Sequence, residues 1–207
     1  MHDPVLAAGC AALGIDTVHL APLARYLDLL ERWNKRYNLT AVREREAMVT
    51  RHVLDSLSVL PFLRGRRFLD AGTGAGLPGI PLAICLPHCD FCLLDSNGKK
   101  TRFLFQVKTA LALTNIRIAT ARAETHRPEV PYDGVLSRAF ASLPAIVRSC
   151  GQLTAAGGAL YAMKAAVPDD ELDAVRARGF TAEVTALEVP GLDARRSLIT
   201  LRAETRA

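Results

Sequence analysis

Apolar positions in the first third of the chain recur at helical spacing. One series runs through Leu23, Leu27, Leu30, Trp33 and Asn34, and a second through Met48, Val49, His52, Val53, Ser56, Leu57 and Leu60. Steps of three and four place each series on one face of an α-helix. Pro22 near the start of the first and Pro61 after the second sit where proline is tolerated around helices. From about residue 66 the rhythm changes. Short apolar runs predict strands over 66–70, 91–95, 116–120, 134–137, 159–163 and 197–201. The segments 80–86, 99–113, 143–153 and 169–178 between them predict helices, with Gly98, Gly157, Gly158 and Gly179 marking the joins. Strands alternating with helices imply a mostly parallel sheet covered on both faces. The segments 180–189 and 197–201, joined by a Pro-Gly loop, can pair antiparallel. The expected fold is α/β: a Rossmann-like domain over 66–207 carrying a helical N-terminal extension over 1–65.

Composition narrows the class. Half of the 207 residues are hydrophobic and 23% are charged, the balance of a globular chain rather than a disordered one. No apolar run reaches the roughly 20 residues that span a bilayer, and the start at Met1 lacks the basic and apolar regions of a secretory signal. Five scattered cysteines fit a reducing compartment, so a cytoplasmic location is expected. The net charge of +5 permits a polyanionic partner without demanding one.

The chemistry concentrates in Phe68-Leu69-Asp70-Ala71-Gly72-Thr73-Gly74-Ala75-Gly76-Leu77-Pro78-Gly79. A buried strand ends in a carboxylate, and three glycines at alternate positions lead into a helix. In open α/β sheets ligands lie beyond the carboxyl ends of the strands, where side-chain-free backbone can approach them closely. Gly74-Ala75-Gly76-Leu77-Pro78-Gly79 also matches the dinucleotide pattern G-x-G-x-x-G. That match begins late relative to the strand end, and Asp70 would set negative charge beside a pyrophosphate. S-adenosylmethionine carries a sulfonium and an ammonium and no phosphate, so the charge at this corner favours the methyl donor. Asp95 closes the next strand, where a carboxylate can accept from ribose hydroxyls. Glu124 follows the third strand, placed to accept from an adenine amino group while the Ala123 N–H reaches a ring nitrogen.

These motifs resemble the glucose-inhibited division protein B family, the RsmG 16S rRNA guanine-N7 methyltransferases. The resemblance covers most of the chain. It is carried by Trp33-Asn34-Lys35-Arg36-Tyr37-Asn38-Leu39-Thr40, by Arg51-His52-Val53-Leu54-Asp55-Ser56-Leu57 and by the glycine loop extended through Leu77-Pro78-Gly79. Leu93-Leu94-Asp95-Ser96, Lys99-Lys100, Ser137-Arg138-Ala139-Phe140-Ala141-Ser142 and Met163-Lys164 continue it. It implies a class I S-adenosylmethionine-dependent methyltransferase sheet and methyl transfer to N7 of a guanine in the 530 loop. The implied substrate is 16S rRNA, in the small ribosomal subunit or an assembly intermediate, and the protein works as a monomer without a membrane. The cofactor positions it implies are Gly72, Leu77, Asp95, Ala123, Glu124 and Arg138, with Asp70, Gly74 and Gly76 lining the loop.

N7 of guanine holds an in-plane lone pair and no proton, so attack on a sulfonium methyl needs positioning and desolvation rather than a general base. No catalytic residue is assigned on that account. Candidates for positioning the guanine are Arg138, Lys164, His52, Asp55 and Asn38. Arg138 can bind the donor's carboxylate, donate to guanine O6 or pair with a structural acid. His52 and Asp55 share a helix face, a spacing that suits a packing network better than an acid–base pair. Asn38 can order the turn after the first long helix. Phosphate contacts are expected from Lys35, Arg36, Arg51, Lys99, Lys100, Arg102, Lys164, Arg195 and Arg196. Trp33 and Tyr37 read as an apolar stripe, and Phe140 as core or as a stacking ring.

Cys85-Leu86-Pro87-His88-Cys89-Asp90-Phe91-Cys92 has the three-thiol spacing of an iron–sulfur loop. Its thiols fall on a predicted helix and a predicted strand, so they read as small buried hydrophobes, and no metal is expected. Two rivals remain at this level: an NAD(P)-dependent oxidoreductase on the same fold, and a noncatalytic RNA-binding protein.

Overall fold

The computed structural model describes residues 3–138 and 141–204. The extension opens with α1 (Pro4–Ala12), capped by the Asp3 carboxylate, which accepts from the Leu6 N–H at 3.1 Å. Nearly every residue of α1 is apolar, so no periodic contrast marks it in the sequence. A Cβ at Gly9 would collide with Leu54, which is how closely α1 packs on the helices behind it. The predicted long helix is α2 (Leu20–Tyr37). Asn38 ends it in the left-handed conformation at φ 49°, and its side chain accepts from Arg43 at 3.1 Å, a cap geometry asparagine adopts more readily than most residues. The second apolar series forms one helical run: α3 (Arg45–Met48), a π-helical stretch Val49–Leu54, and α4 (Asp55–Leu57).

Seven strands follow: β1 (Arg67–Ala71), β2 (Asp90–Asp95), β3 (Ile116–Thr120), β4 (Tyr132–Arg138), β5 (Thr154–Lys164), β6 (Phe180–Ala186) and β7 (Ser197–Ala203). They form one sheet ordered β3-β2-β1-β4-β5-β7-β6. β1 to β5 pair in parallel, and β7 runs antiparallel to both β5 and β6. The antiparallel pairing of the last two strands is legible from their short connection. That β7 inserts between β5 and β6 is not, and this insertion departs from the 3-2-1-4-5-6 order of dinucleotide-binding sheets.

The helices α5 (Gly79–Cys85), α6 (Gly98–Leu111), α7 (Leu143–Cys150) and α8 (Asp169–Arg176) cover the sheet. Neighbouring strand residues enter opposite hydrophobic clusters, as a period of two requires. Phe68 and Leu93 pack with Leu27, Leu30, Val53, Leu57 and Phe103, while Leu69 and Leu94 pack with Val135, Ile146, Leu160, Val175 and Ile199. The extension thus completes one of the two cores. Each such aliphatic side chain, fully buried, contributes about 1.5–3 kcal/mol. Between β3 and β4 the chain makes only a 3₁₀ turn, Ala123–Thr125, so the strand ends near β2 and β3 lie open. Strand order reverses between β1 and β4, and the glycine loop sits at that reversal.

Candidate active site

Asp70 is the last but one residue of β1 and is fully buried. Its Oδ2 accepts from the Thr73 hydroxyl at 2.5 Å and from the Gly79 N–H at 2.8 Å. One carboxylate oxygen therefore staples both ends of the glycine loop. Burial pushes its pKa up to about 6, against the opposing pull of Thr73, Gly79 and the Arg138 charge. From the other side, the buried Tyr26 hydroxyl of α2 donates to the Ala75 carbonyl at 2.8 Å. Sequence reasoning misses Tyr26, because its partner lies 49 positions away and its helical spacing marks only a core residue.

The glycines divide by what surrounds them. A Cβ on Gly79 would collide with Leu93 and crowd Asp70, so that glycine serves close packing. Gly76 is likewise buried, against Ile80 and Leu104. At Gly74 a Cβ would meet only the Gly72 carbonyl and the Lys100 ammonium, both at 3.9 Å, and φ is +60°. Gly74 leaves bare backbone facing open space, which is what a ligand-facing glycine looks like.

Asp95, which takes the Gly74 N–H, lines a pocket of about 210 Å³ together with Gly72, Leu94, Ser96, Lys100, Ala121, Arg122, Ala123 and Glu124. Three of the expected acids and glycines, Gly72, Asp95 and Glu124, do meet there, with Ala123. Asp95 accepts from the Gly74 N–H at 2.9 Å and the Asn97 N–H at 2.8 Å, one on each oxygen. A carboxylate has about four acceptor sites, so both oxygens keep capacity for a hydroxyl donor. Ala123 and Glu124 begin the 3₁₀ turn, where backbone N–H groups have no partner within the turn. The donor set fits an adenosine-type ligand: a diol against Asp95, bare backbone under it, and amide donors with a carboxylate at the far wall.

Several expected positions lie elsewhere. Leu77 is buried in the core beneath the loop. Arg138, at the end of β4, points its guanidinium at the helical run: it donates to Asp55 at 3.0 Å and to the Arg51 carbonyl at 3.1 Å, and lies 3.1 Å from His52 Nδ1. Asp55 is fully buried and also takes Arg196 in a two-pronged pair, both bonds at 2.6 Å. Pairing with a structural acid is the arrangement found. His52 bonds Thr40 through Nε2 at 2.8 Å, and burial beside the Arg138 charge lowers its pKa to about 4. His52 and Asp55 converge on Arg138 and not on each other, which is a packing network. Lys164 is tied to Glu171 of α8 at 2.8 Å.

The basic residues separate as well. Arg196, expected on phosphate, is committed to Asp55, and Lys100 stands 3.6 Å from Asp95 inside the pocket. Lys35, Arg36, Arg51, Lys99, Arg102 and Arg195 are exposed, and Arg51 and Arg195 line one groove of about 750 Å³. Trp33 packs 5.6 Å from Phe103 and 5.0 Å from Tyr37, as an apolar stripe does. Phe140 lies outside the described residues. Cys85 and Cys92 sit in α5 and β2, and burial pushes the Cys85 thiol up to about 12, which suits a packing role.

Known proteins resemble the chain in sequence and in fold. Residues 19–199 match the family described as rRNA small subunit methyltransferase G. The chain is 47% identical to a ribosomal RNA small subunit methyltransferase G of Hahella chejuensis, over 94% of this chain and 90% of that one. It is 51% identical to the protein of that name from Saccharophagus degradans, over 86% and 80%. Among solved structures it resembles the S-adenosylmethionine-dependent methyltransferase SibL, with a TM-score of 0.63 at 18% identity over 89% of this chain and 70% of that one. It also resembles a precorrin-6y C5,15-methyltransferase of Geobacter metallireducens, with a TM-score of 0.55 at 17% identity over 81% and 92%. At those identities the likeness is one of fold.

Proposed function

The chain belongs to the rRNA small subunit methyltransferase G family, and from that premise we propose that it transfers a methyl group from S-adenosylmethionine to N7 of a guanine in the 530 loop of 16S rRNA. The observation that carries the reading is the pocket that brings Gly72 and Asp95 together with Ala123 and Glu124, the open Gly74 backbone being bonded to Asp95. In this reading Asp95 holds the ribose hydroxyls, while Ala123 N–H and Glu124 take the adenine edge. Asp70 sets the shape and charge of the loop from beneath. When bound, S-adenosylmethionine supplies an electrophilic sulfonium methyl, so that N7 gains a C–N bond as the S–C bond breaks and a neutral thioether leaves. No group need remove a proton.

Residues 1–65 serve as the extension and 66–207 as the catalytic domain. The RNA substrate meets the exposed cations Lys35, Arg36, Arg51, Lys99, Arg102 and Arg195. The protein acts as a monomer in the cytoplasm, on the small subunit or an assembly intermediate. Among the described residues no helix is long and apolar enough to cross a membrane.

Incubating the protein with tritiated S-adenosylmethionine and small subunits that lack the modification should place the label on one guanine N7 of the 530 loop, read by nuclease mapping and mass spectrometry. Binding of rRNA without transfer would instead favour the noncatalytic reading. The oxidoreductase reading meets a physical obstacle. Helix N-terminal amides hold a pyrophosphate in dinucleotide sites, yet here the Gly79 and Ile80 N–H groups are given to Asp70 and to the Gly76 carbonyl.

Asp70 adds a pH dependence with a defined sign. Its pKa near 6 means that the carboxyl is ionised at pH 7.5 and protonated at pH 5. Protonation removes negative charge beneath the loop, so affinity for the cationic donor falls as pH drops through 6. Affinity for the demethylated thioether falls less. Calorimetry at pH 5 and 7.5 checks this, and a constant ratio of the two affinities would remove Asp70 from the site's electrostatics.

A further inference from the structure

The same edge of the sheet carries a second pocket, and one feature of it is costly unless something binds there. This pocket, of about 390 Å³, is lined by Ser137, Ala141, Ile146, Met163, Lys164, Ala165, Ala166 and Arg196. It lies over the ends of β4 and β5, across the strand-order reversal from the nucleoside pocket over β1 to β3. Ser137 is 2% exposed, and among the described residues its Oγ has no hydrogen-bond partner. An unsatisfied buried hydroxyl is destabilising and rare in native proteins, so each one calls for a reason.

Resting on the function proposed above, we propose that this pocket receives the extruded target guanine and that Ser137 Oγ, with Lys164 Nζ, reads its O6 and N1–H edge. The walls suit a flipped base: Ile146 and Met163 are apolar, as such pockets generally are, with polar groups kept for the base edge. The polar groups suit guanine in particular. Lys164 spends one N–H on Glu171 at 2.8 Å, and an ammonium has three. A free N–H from Lys164 donates to a carbonyl at the purine 6-position, and Ser137 Oγ accepts from N1–H. Adenine carries an amino donor at that position, which the donor-only Lys164 ammonium cannot pair, so the discrimination rests on Lys164, while the Ser137 hydroxyl could donate to adenine N1.

The charges also suit the chemistry. Methylation leaves the purine cationic, and an isolated Lys beside it would oppose that. Lys164 is neutralised by Glu171, while Arg196 shares the single Asp55 carboxylate with Arg138, so the ammonium that faces the base edge carries no net charge with its partner. The groove lined by Arg51 and Arg195 shares Ala165 and Arg196 with this pocket. Three arginines, Arg51, Arg195 and Arg196, thus line the approach to the base pocket, with Glu46 and Asp193 among them.

The test is Ser137→Ala, with Ser137→Thr as the variant that keeps the hydroxyl, assayed on small subunits lacking the modification. Ser137→Ala should lower kcat/KM for the subunit about tenfold, the equivalent of one net hydrogen bond, with S-adenosylmethionine affinity unchanged. Its melting temperature should equal or exceed that of the wild type, because an unpaired buried hydroxyl is removed. Ser137→Thr should recover most of the activity. Turnover of Ser137→Ala within twofold of the wild type would overturn the proposal. So would a loss of activity that simply tracks a fall in melting temperature, which a structural hydroxyl would give. If wild-type protein labels a site other than guanine N7, the underlying functional reading fails. If it labels guanine N7 and Ser137→Ala does so equally well, only the base pocket fails.

Discussion

Asp55→Ala is expected to destabilise the protein by about 3–5 kcal/mol, the range for removing one partner of a buried ion pair, and so to lower its melting temperature by about 6–20 °C. The size follows from the stoichiometry. One fully buried carboxylate is the ion-pair partner of two guanidiniums, Arg138 at 3.0 Å and Arg196 at 2.6 Å. Their side chains are only 14% and 21% exposed, so neither can recover its hydration in place. The same three residues tie the helical run of the extension to the end of β4 and to the segment entering β7. By contrast, Lys35 and Glu31 form an ion pair in which the lysine is 74% exposed, and such surface pairs contribute about 0–1 kcal/mol. Urea unfolding separates the two cases. A loss below about 1 kcal/mol for Asp55→Ala would mean that water or a rearranged side chain satisfies both arginines.

Asp95→Ala should weaken S-adenosylmethionine binding by about 10- to 100-fold, since hydrogen bonds to a charged acceptor are worth about 1.5–3 kcal/mol. Calorimetry at pH 7.5 measures it directly. The carboxylate contributes twice: it offers acceptors to the ribose, and it orders the loop by accepting from Gly74 at 2.9 Å and Asn97 at 2.8 Å. Asp95→Asn keeps an acceptor but loses the charge, so its loss should be smaller. Circular dichroism should show the fold retained, because the sheet registers of β2 do not depend on this side chain. Unchanged affinity in Asp95→Ala would take Asp95 out of the site.

Much of the candidate site is legible in the sequence alone. Gly72, Asp95, Ala123 and Glu124 stand out by their positions after successive strands, and they meet in one pocket. Such residues are readable because parallel strands bring their carboxyl ends to one edge wherever the intervening chain goes. The residues that sequence reasoning misplaces share the opposite property. Arg196 reads as a surface cation until its partner, 141 positions away, is known. Lys100 reads as an RNA contact until the first turn of α6 is seen to fold it back over Asp95. Ser137 carries no signal of its own, because an unpartnered hydroxyl is a property of its neighbours.

The sequence by itself determined the alternation of strands and helices, the glycine-bearing turn and the acids that follow each strand, since all of these depend on local periodicity and local backbone freedom. Only the tertiary structure decided that β7 inserts between β5 and β6, that Asp55 clamps Arg138 and Arg196, and that Tyr26 props the loop from the extension. Those outcomes turn on contacts between distant segments. Burial removes water there, and a charge or hydroxyl must then take whatever partner the packing brings within reach.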